Sequence, residues 1–398
     1  MHPHAPPIDT AGLYPLDGSA VSTRLRITMQ LKNTCRMVQV KFYGYCGLII
    51  IVSMFVSALT KRSYPGVKNA FKLGRARSFS FSSFNFNSNS HSRSHEQSSS
   101  AGNWDSVNQQ FDHYNISVAF QPKDREESNL FKKNSNKVSP ALLSPTGEDN
   151  LFVLDQKQGY ISVGVADGVG GWSEAGYDSS AISRELCSEM KSVFESSGEY
   201  DNLTPKQMLQ LAFKTILNSP KVEIGGTTAC LGILTPEKTI KIANLGDSWA
   251  GLFRDYKCVE QTNFQTHNFN TPYQLAKIPE QIMNQAKAEG RRYIIDSPDL
   301  AEEYEWKLQP NDIIMFATDG VTDNVVTEDI ELYLKDRLDV GSPEPLNDIS
   351  KTFVKEVVKV SKDLNFPSSF AQELSKLTGQ KYLGGKEDDI TVVLVQVK

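Results

Sequence analysis

Histidine and cysteine are scarce in this chain, and their scarcity narrows its chemistry before any motif is considered. Of 398 residues, 6 are histidine and 5 are cysteine. The cysteines (Cys35, Cys46, Cys187, Cys230 and Cys258) are far apart and odd in number, without a C-x-x-C pair. Neither a disulfide framework nor a zinc site is suggested, which favours a reducing compartment. Cys187, Cys230 and Cys258 all lack an arginine six residues on, so the cradle of a cysteine-based phosphatase is missing. The glycine-rich loop, lysine and His-Arg-Asp segment of a kinase are missing too. The stretch Gly379 to Lys386 comes nearest to a phosphate loop, but its lysine falls one residue late and Glu387 takes the hydroxyl position. It reads as an ordinary loop. His113 and His267 lie far apart in sequence and read as surface or capping residues.

Acidic residues are absent from Gly18 to His95. Residues 1–103 hold 12 Lys/Arg against Asp9, Asp17 and Glu96, a net of +9, which leaves 30 basic and 44 acidic residues, a net of −14, for the remainder. So acidic a body does not grip nucleic acid. It suits hard divalent cations where its carboxylates converge.

Long uncharged runs are equally rare. One stands out, Phe42 to Leu59, bounded by Lys41, Lys61 and Arg62. It predicts a transmembrane helix over 43–59 behind a basic tail, 1–42. Its two flanks are almost equally basic, so the orientation is not readable. Residues 60–103 read as a disordered basic, serine-rich linker or targeting segment. Within them Lys68 to Phe86 has the composition of a mitochondrial presequence, with a basic juxtamembrane linker as the alternative. From 104 to 398 the composition is globular and shows no internal repeat.

Short β-branched runs predict strands at Tyr160–Ala166, Thr227–Leu234, Thr239–Asn244, Asp312–Thr318 and Thr391–Val397, with another at Leu151–Leu154. Thr204-Pro-Lys-Gln207 reads as a capping box that opens a helix, with Met208, Leu209, Leu211, Ala212, Ile216 and Leu217 as its apolar face. Thr327 is expected to cap a second helix, and Ile349–Leu364 reads as a third. Strands in adjacent pairs and helices in blocks indicate α+β with antiparallel sheets.

Three strands end on aspartate. Tyr160–Ala166 runs into Asp167-Gly168, Ile313–Thr318 runs into Asp319-Gly320, and Lys386-Glu387-Asp388-Asp389 leads into the last strand. An unpaired carboxylate beside a core strand is costly, so it meets a cation, a cap or a basic partner. Carboxylate and carbonyl oxygens are the ligand set of Mg²⁺ and Mn²⁺. A single Asp-Gly is more often a turn; three such sites at strand ends are not so easily dismissed.

The segments ADGVGGW, GGTTACLGIL, ANLGDSWAG, FATDGVTDN and EDDITVVLV, in this order, resemble the type 2C (PPM) metal-dependent Ser/Thr protein phosphatases. The resemblance spans roughly Pro140 to Lys398, and VADGVGGW is most similar to the mitochondrial branch. It implies a four-layer α-β-β-α sandwich with two antiparallel sheets and a two-ion Mn²⁺ or Mg²⁺ centre at one end. By the matching motifs, Asp167 would bridge both ions, the Gly168 carbonyl would bind one, and Asp319 and Asp388 would complete the other. Glu148 and Asp149 would act through water, and Asp247 and Asp323, with Asp319, match a weaker third ion; for Asp247 a hairpin turn is nearly as good an account. Two ions sharing a water acidify it toward a pKa of ~7 in the strongest known sites, giving a hydroxide that attacks phosphorus in line.

Two positions depart from the family pattern. Val169 stands where many relatives have a histidine acid, and Ser144 where many have a phosphate-holding arginine. Protonation of the leaving group by metal-bound water is expected instead. The competing reading is a catalytically weak phosphatase-like module that binds phosphoproteins at a membrane. Retention of Asp167, Asp319 and Asp388 favours the enzyme. Phosphoproteins are the implied partners, among them mitochondrial metabolic enzymes including those of ubiquinone synthesis. The implied location is a mitochondrial membrane, with the nuclear envelope or endoplasmic reticulum as the alternative.

Overall fold

The structure, a computed structural model, describes residues 108–124, 144–154, 158–198, 200, 202–338 and 344–398. The expected membrane span at 43–59 and the targeting segment lie outside the described residues. Among those described, no helix is long and apolar enough to cross a membrane.

Fifteen strands are described: β1 (Asn108–Gln110), β2 (Tyr114–Gln121), β3 (Asn150–Val153), β4 (Ile161–Ala166), β5 (Gly225–Thr227), β6 (Ala229–Leu234), β7 (Thr239–Leu245), β8 (Trp249–Arg254), β9 (Lys257–Gln261), β10 (Thr266–Asn268), β11 (Thr271–Pro272), β12 (Leu275–Lys277), β13 (Glu302–Lys307), β14 (Ile313–Ala317) and β15 (Ile390–Val397). Two sheets dominate, with strand orders β1-β2-β15-β14-β8-β9 and β13-β7-β6-β4-β3, and every pairing in both is antiparallel.

Alternation along the strands builds the layers, because successive side chains point to opposite faces. In β14, Ile314 and Phe316 join Val393 and Val395 of β15 and Ile161, Val163 and Val165 of β4 in one buried cluster between the sheets. Ile313, Met315 and Ala317 of the same strand face the other way. They pack with Val392 and Leu394 against Ile330, Ile349, Phe353 and Val357 of the helices Thr327–Leu338 and Leu346–Ser361. On the opposite flank, Leu231, Ala243 and Leu245 pack with Leu186, Met190, Met208 and Ile216 of the helices Ser180–Ser196 and Pro205–Asn218. Helix, sheet, sheet and helix make the four expected layers.

Local sequence sets several of these elements. The helix Pro205–Asn218 opens on a complete capping box: Thr204 accepts from Gln207 N at 3.1 Å, and Gln207 Oε1 accepts from Thr204 N at 3.0 Å. Its apolar face differs from the expectation at two points. Leu211 and Leu217 are 49% and 48% exposed, while Phe213 is buried, because the 3.6-residue period turns the former pair to solvent. Thr327 is the first residue of its helix and not a cap: its hydroxyl donates to Gln261 Oε1, while Asp329 accepts from Val326 N. The third helix runs Leu346–Ser361, three residues earlier than expected at each end. The expected strand Thr227–Leu234 is interrupted at Thr228, where β5 leaves to pair with β12 and the chain returns to the main sheet as β6.

Strand direction decides where the functional ends fall. The C-terminal ends of β4, β7 and β14 and the N-terminal ends of β3 and β15 lie at one end of the sandwich, because the strands alternate in direction.

Phe316 is fully buried between the sheets. Phe316→Ala is expected to cost about 3–5 kcal/mol, read from chemical denaturation. Leu332→Ala, at a residue 59% exposed, is expected to change stability by no more than about 0.5 kcal/mol.

Candidate metal centre

Each strand end delivers a carboxylate to the same place: Asp149 before β3, Asp167 after β4, Asp247 after β7, Asp319 after β14 and Asp388 before β15. Two glycines permit the approach. A Cβ at Gly168 would meet the carbonyls of Glu148 and Ser179 at 2.6 and 2.7 Å, and one at Gly320 would lie 1.9 Å from the carbonyl of Asp389. Close backbone contact at both positions leaves room for hydrogen alone. Gly168 N donates to Glu148 O at 3.1 Å, and Thr228 N donates to Asp167 O at 2.9 Å, so the turn after β4 is fixed on both sides.

The carboxylates feel one another. Burial, followed by the charges of Asp319, Asp149, Asp388 and Asp247, holds the Asp167 carboxyl well above the usual carboxylate range. Burial and then Asp389 raise Asp149, against the pull of the Thr318 hydroxyl, which donates to its Oδ2 at 2.8 Å. Asp247 is raised by burial and then by Asp319 and Asp323. Asp323 is pushed up to about 7, burial outweighing the opposing charge of Lys386. Asp388 is raised, chiefly by burial and then by Asp319. Asp319 is the exception: burial works to raise it, but the Lys386 charge and hydrogen bond outweigh burial and hold it low. A site whose acids resist ionising together is short of positive charge.

Two lysines supply part of it. Lys386 Nζ donates to Asp319 Oδ2 at 2.7 Å and to Asp323 Oδ2, and lies 3.5 Å from Asp388 Oδ2. Lys123 Nζ donates to Asp388 Oδ1 at 2.9 Å and sits 3.1 Å from Glu148 Oε2. Their spacing matters, because as the side chains stand no group of three or more His, Cys, Asp or Glu among the described residues is gathered closely enough to hold a metal ion. The donor chemistry nevertheless fits Mn²⁺ or Mg²⁺: the convergent groups are all oxygen donors, and anions outnumber cations. Asp247 Oδ1 is buried without a hydrogen-bond partner among the described residues, as expected of an oxygen shaped to meet a cation.

All of the sequence-predicted side chains therefore reach one region. Several residues that complete it were not singled out. Asp389 accepts from Lys123 N at 2.8 Å and Glu148 N at 2.7 Å. Ser179 Oγ donates to Glu148 Oε1 at 2.6 Å. Asn324 ties Gly320 to Lys386. Lys386 stood in view at the end of the loop before the last strand, where it reads as part of an ordinary loop. Lys123 carries no local signal, since its partners lie far along the chain.

The departures from the family pattern are now concrete. Val169 N donates to Gly226 O at 2.8 Å, and its apolar side chain offers no proton. Ser144 is buried and its hydroxyl pairs with Thr146 Oγ1 at 2.8 Å, so it is not a phosphate-holding group. His113 and His267 are both exposed; His267 Nε2 meets Asp296 Oδ2 at 2.9 Å and its ring stacks on Tyr273.

Residues 157–398 match the family model described as stage II sporulation protein E (SpoIIE). The chain is 51% identical over 288 residues to the "Protein phosphatase 2C homolog 7, mitochondrial" of Saccharomyces cerevisiae, covering 71% of this chain and 82% of that protein. It is 35% identical over 254 residues to the "Protein phosphatase PTC7 homolog fig" of Drosophila virilis, covering 63% of this chain and 78% of the relative. Among solved structures, the photosystem II phosphatase PBCP superposes with a TM-score of 0.56 at 25% identity, covering 72% of this chain and 99% of that one. With the acidic strand ends and the double sheet in place, these likenesses show that the chain belongs to the metal-dependent type 2C (PPM) protein phosphatases.

Proposed function

We propose that this chain hydrolyses phosphoserine and phosphothreonine side chains of proteins, and that Asp167, Gly168, Asp319 and Asp388 hold a pair of Mn²⁺ or Mg²⁺ ions for the purpose. The observation that carries the reading is the convergence of Asp149, Asp167, Asp247, Asp319 and Asp388 on one end of the sandwich, with more negative charge than two lysines balance. Such ions, when bound, supply an acidified water as nucleophile and screen charge on the phosphoryl oxygens.

The remaining work falls to the chain's own groups. Asp167 faces the charges of four other aspartates, a position suited to contact with more than one cation. Glu148 is held by its backbone to Asp389 and Gly168 and by its side chain to Ser179, so its carboxylate is oriented before any ligand arrives. Asp149 is kept behind the site by Thr318, the residue that also precedes Asp319. With valine at position 169, no histidine stands in that turn to protonate the leaving alkoxide, and water is left as the donor.

The mitochondrial name of the yeast relative supports a mitochondrial location; the uncharged run Phe42 to Leu59 supports 43–59 as a membrane anchor, and phosphoproteins of that compartment follow as substrates. A fluorescent fusion of the full chain is expected to label mitochondria and to lose that pattern without residues 1–103, which hold both the uncharged run and Lys68 to Phe86. Labelling of the nuclear envelope or endoplasmic reticulum would overturn the assignment.

Release of phosphate from a phosphothreonine peptide is expected to require added Mn²⁺ or Mg²⁺ and to stop with a chelator. Asp167→Asn and Asp319→Asn are each expected to lower it at least about a hundredfold. Phosphopeptide binding without release would instead support the binding module. Asp389→Ala should raise the Mn²⁺ concentration for half-maximal activity about 10–100-fold, since Glu148 loses its anchor. An unchanged Mn²⁺ requirement would remove Asp389 from the positioning network.

A further inference from the structure

Lys386 is the most firmly held charge in the site, and the proposed reaction leaves it without a task. Its ammonium meets Asp319, Asp323 and Asp388 at once, and its side chain is only 19% exposed. The backbone beneath it is fixed from both sides. Lys386 N donates to Asn324 Oδ1 at 2.9 Å, and Asn324 Nδ2 donates to Lys386 O at 2.8 Å and to Gly320 O at 2.9 Å. Asn324 is itself buried, at 1% exposure. The Phe370 ring lies 5.4 Å from Nζ and covers it, while Phe370 N donates to Asp323 O at 2.8 Å. Phe269, from the excursion between β9 and β13, packs against Phe370 with the rings tilted by 41° and their centres 4.9 Å apart.

This arrangement bears directly on the ion count. A hard divalent ion bound to Asp319 and Asp323 needs their oxygens within about 2.0–2.6 Å of its centre. The space between those two carboxylates is where Nζ sits. An ammonium and a divalent ion repel strongly at such range, so one excludes the other between Asp319 and Asp323. Lys386 takes only Oδ2 of Asp319 and stands off Asp388 at 3.5 Å, which leaves the other oxygens of that pair to the ion shared with Asp167. The lysine's tether gives it the advantage, because its position costs no ion from solution and its stem is already ordered by Asn324 and Phe370.

We infer that Lys386 is a built-in cation that takes the third metal position on Asp319 and Asp323, so that this chain holds two divalent ions and not three. The inference rests on the metal centre proposed above and sets its stoichiometry. Lys386 thereby acts as a positioning residue: it fixes Asp323 and one oxygen of Asp319 without needing to touch the substrate.

The test counts bound Mn²⁺ on the purified full chain, from the loss of the free-Mn²⁺ electron paramagnetic resonance signal, up to millimolar Mn²⁺. About two ions per chain are expected for the natural chain, and about three for Lys386→Met, which keeps the length of the stem and removes the charge. Lys386→Arg, which keeps the charge, is expected to stay at about two. Three ions on the natural chain, or two on Lys386→Met, would overturn the assignment while leaving the metal centre standing. No bound Mn²⁺ on any form would overturn both. Should Lys386→Met fail to fold, the count on the natural chain still decides.

Discussion

Like charges crowded at one end of a buried sandwich are the constraint on which the rest of this molecule turns. Two carboxylates about 4 Å apart repel by roughly 4 kcal/mol at the effective dielectric of a protein site, about 20. Here Asp149, Asp167, Asp247, Asp319, Asp323 and Asp388 each feel the charge or a hydrogen bond of at least one of the others. Nothing in fold stability alone rewards such a gathering. Its persistence requires cations, and among the described residues Lys123 and Lys386 supply two of them. That deficit is what the proposed metal ions would relieve.

The fold answers that constraint by separating tasks. Phe316, Val163, Val165, Val393 and Val395 lock two sheets face to face, and the outer helices seal their backs. That packing anchors the strand ends rigidly enough to hold charges that would otherwise drive them apart. Antiparallel pairing then brings strand ends from distant parts of the sequence to the same rim, so β3 and β15 deliver their acids as they enter while β4, β7 and β14 deliver theirs as they leave. Glycine at 168 and 320 lets neighbouring backbone come close enough to keep the rim narrow.

Much of this was legible because it is written in local patterns. Alternating apolar strands that stop on Asp-Gly announce both the sheet and its acidic end, and the capping box at Thr204 opens its helix where it should. Family motifs added the four layers, and they supply the ligand roles that the proposed function rests on. What escaped was nonlocal or displaced by burial. Leu211 and Leu217 are as apolar as their neighbours, and only the phase of the helix turns them outward. The strand around Thr228 looks continuous, and its break depends on β12, nearly fifty residues on. Lys123 and Asp389 acquire meaning only when β2 and β15 pair and set them beside Glu148. Lys386 stood at the end of what reads as an ordinary loop, and its place in the site becomes visible only where Asn324 and Phe370 enclose it.

The central claim, that acids from separate strands close around divalent ions, is tested most directly by crystals grown with manganese and measured at its absorption edge. The account predicts two anomalous peaks, one beside Asp167 and the Gly168 carbonyl and one joining Asp167 to Asp319 and Asp388. A map without peaks there, in which those carboxylates are met by lysine alone, would contradict it.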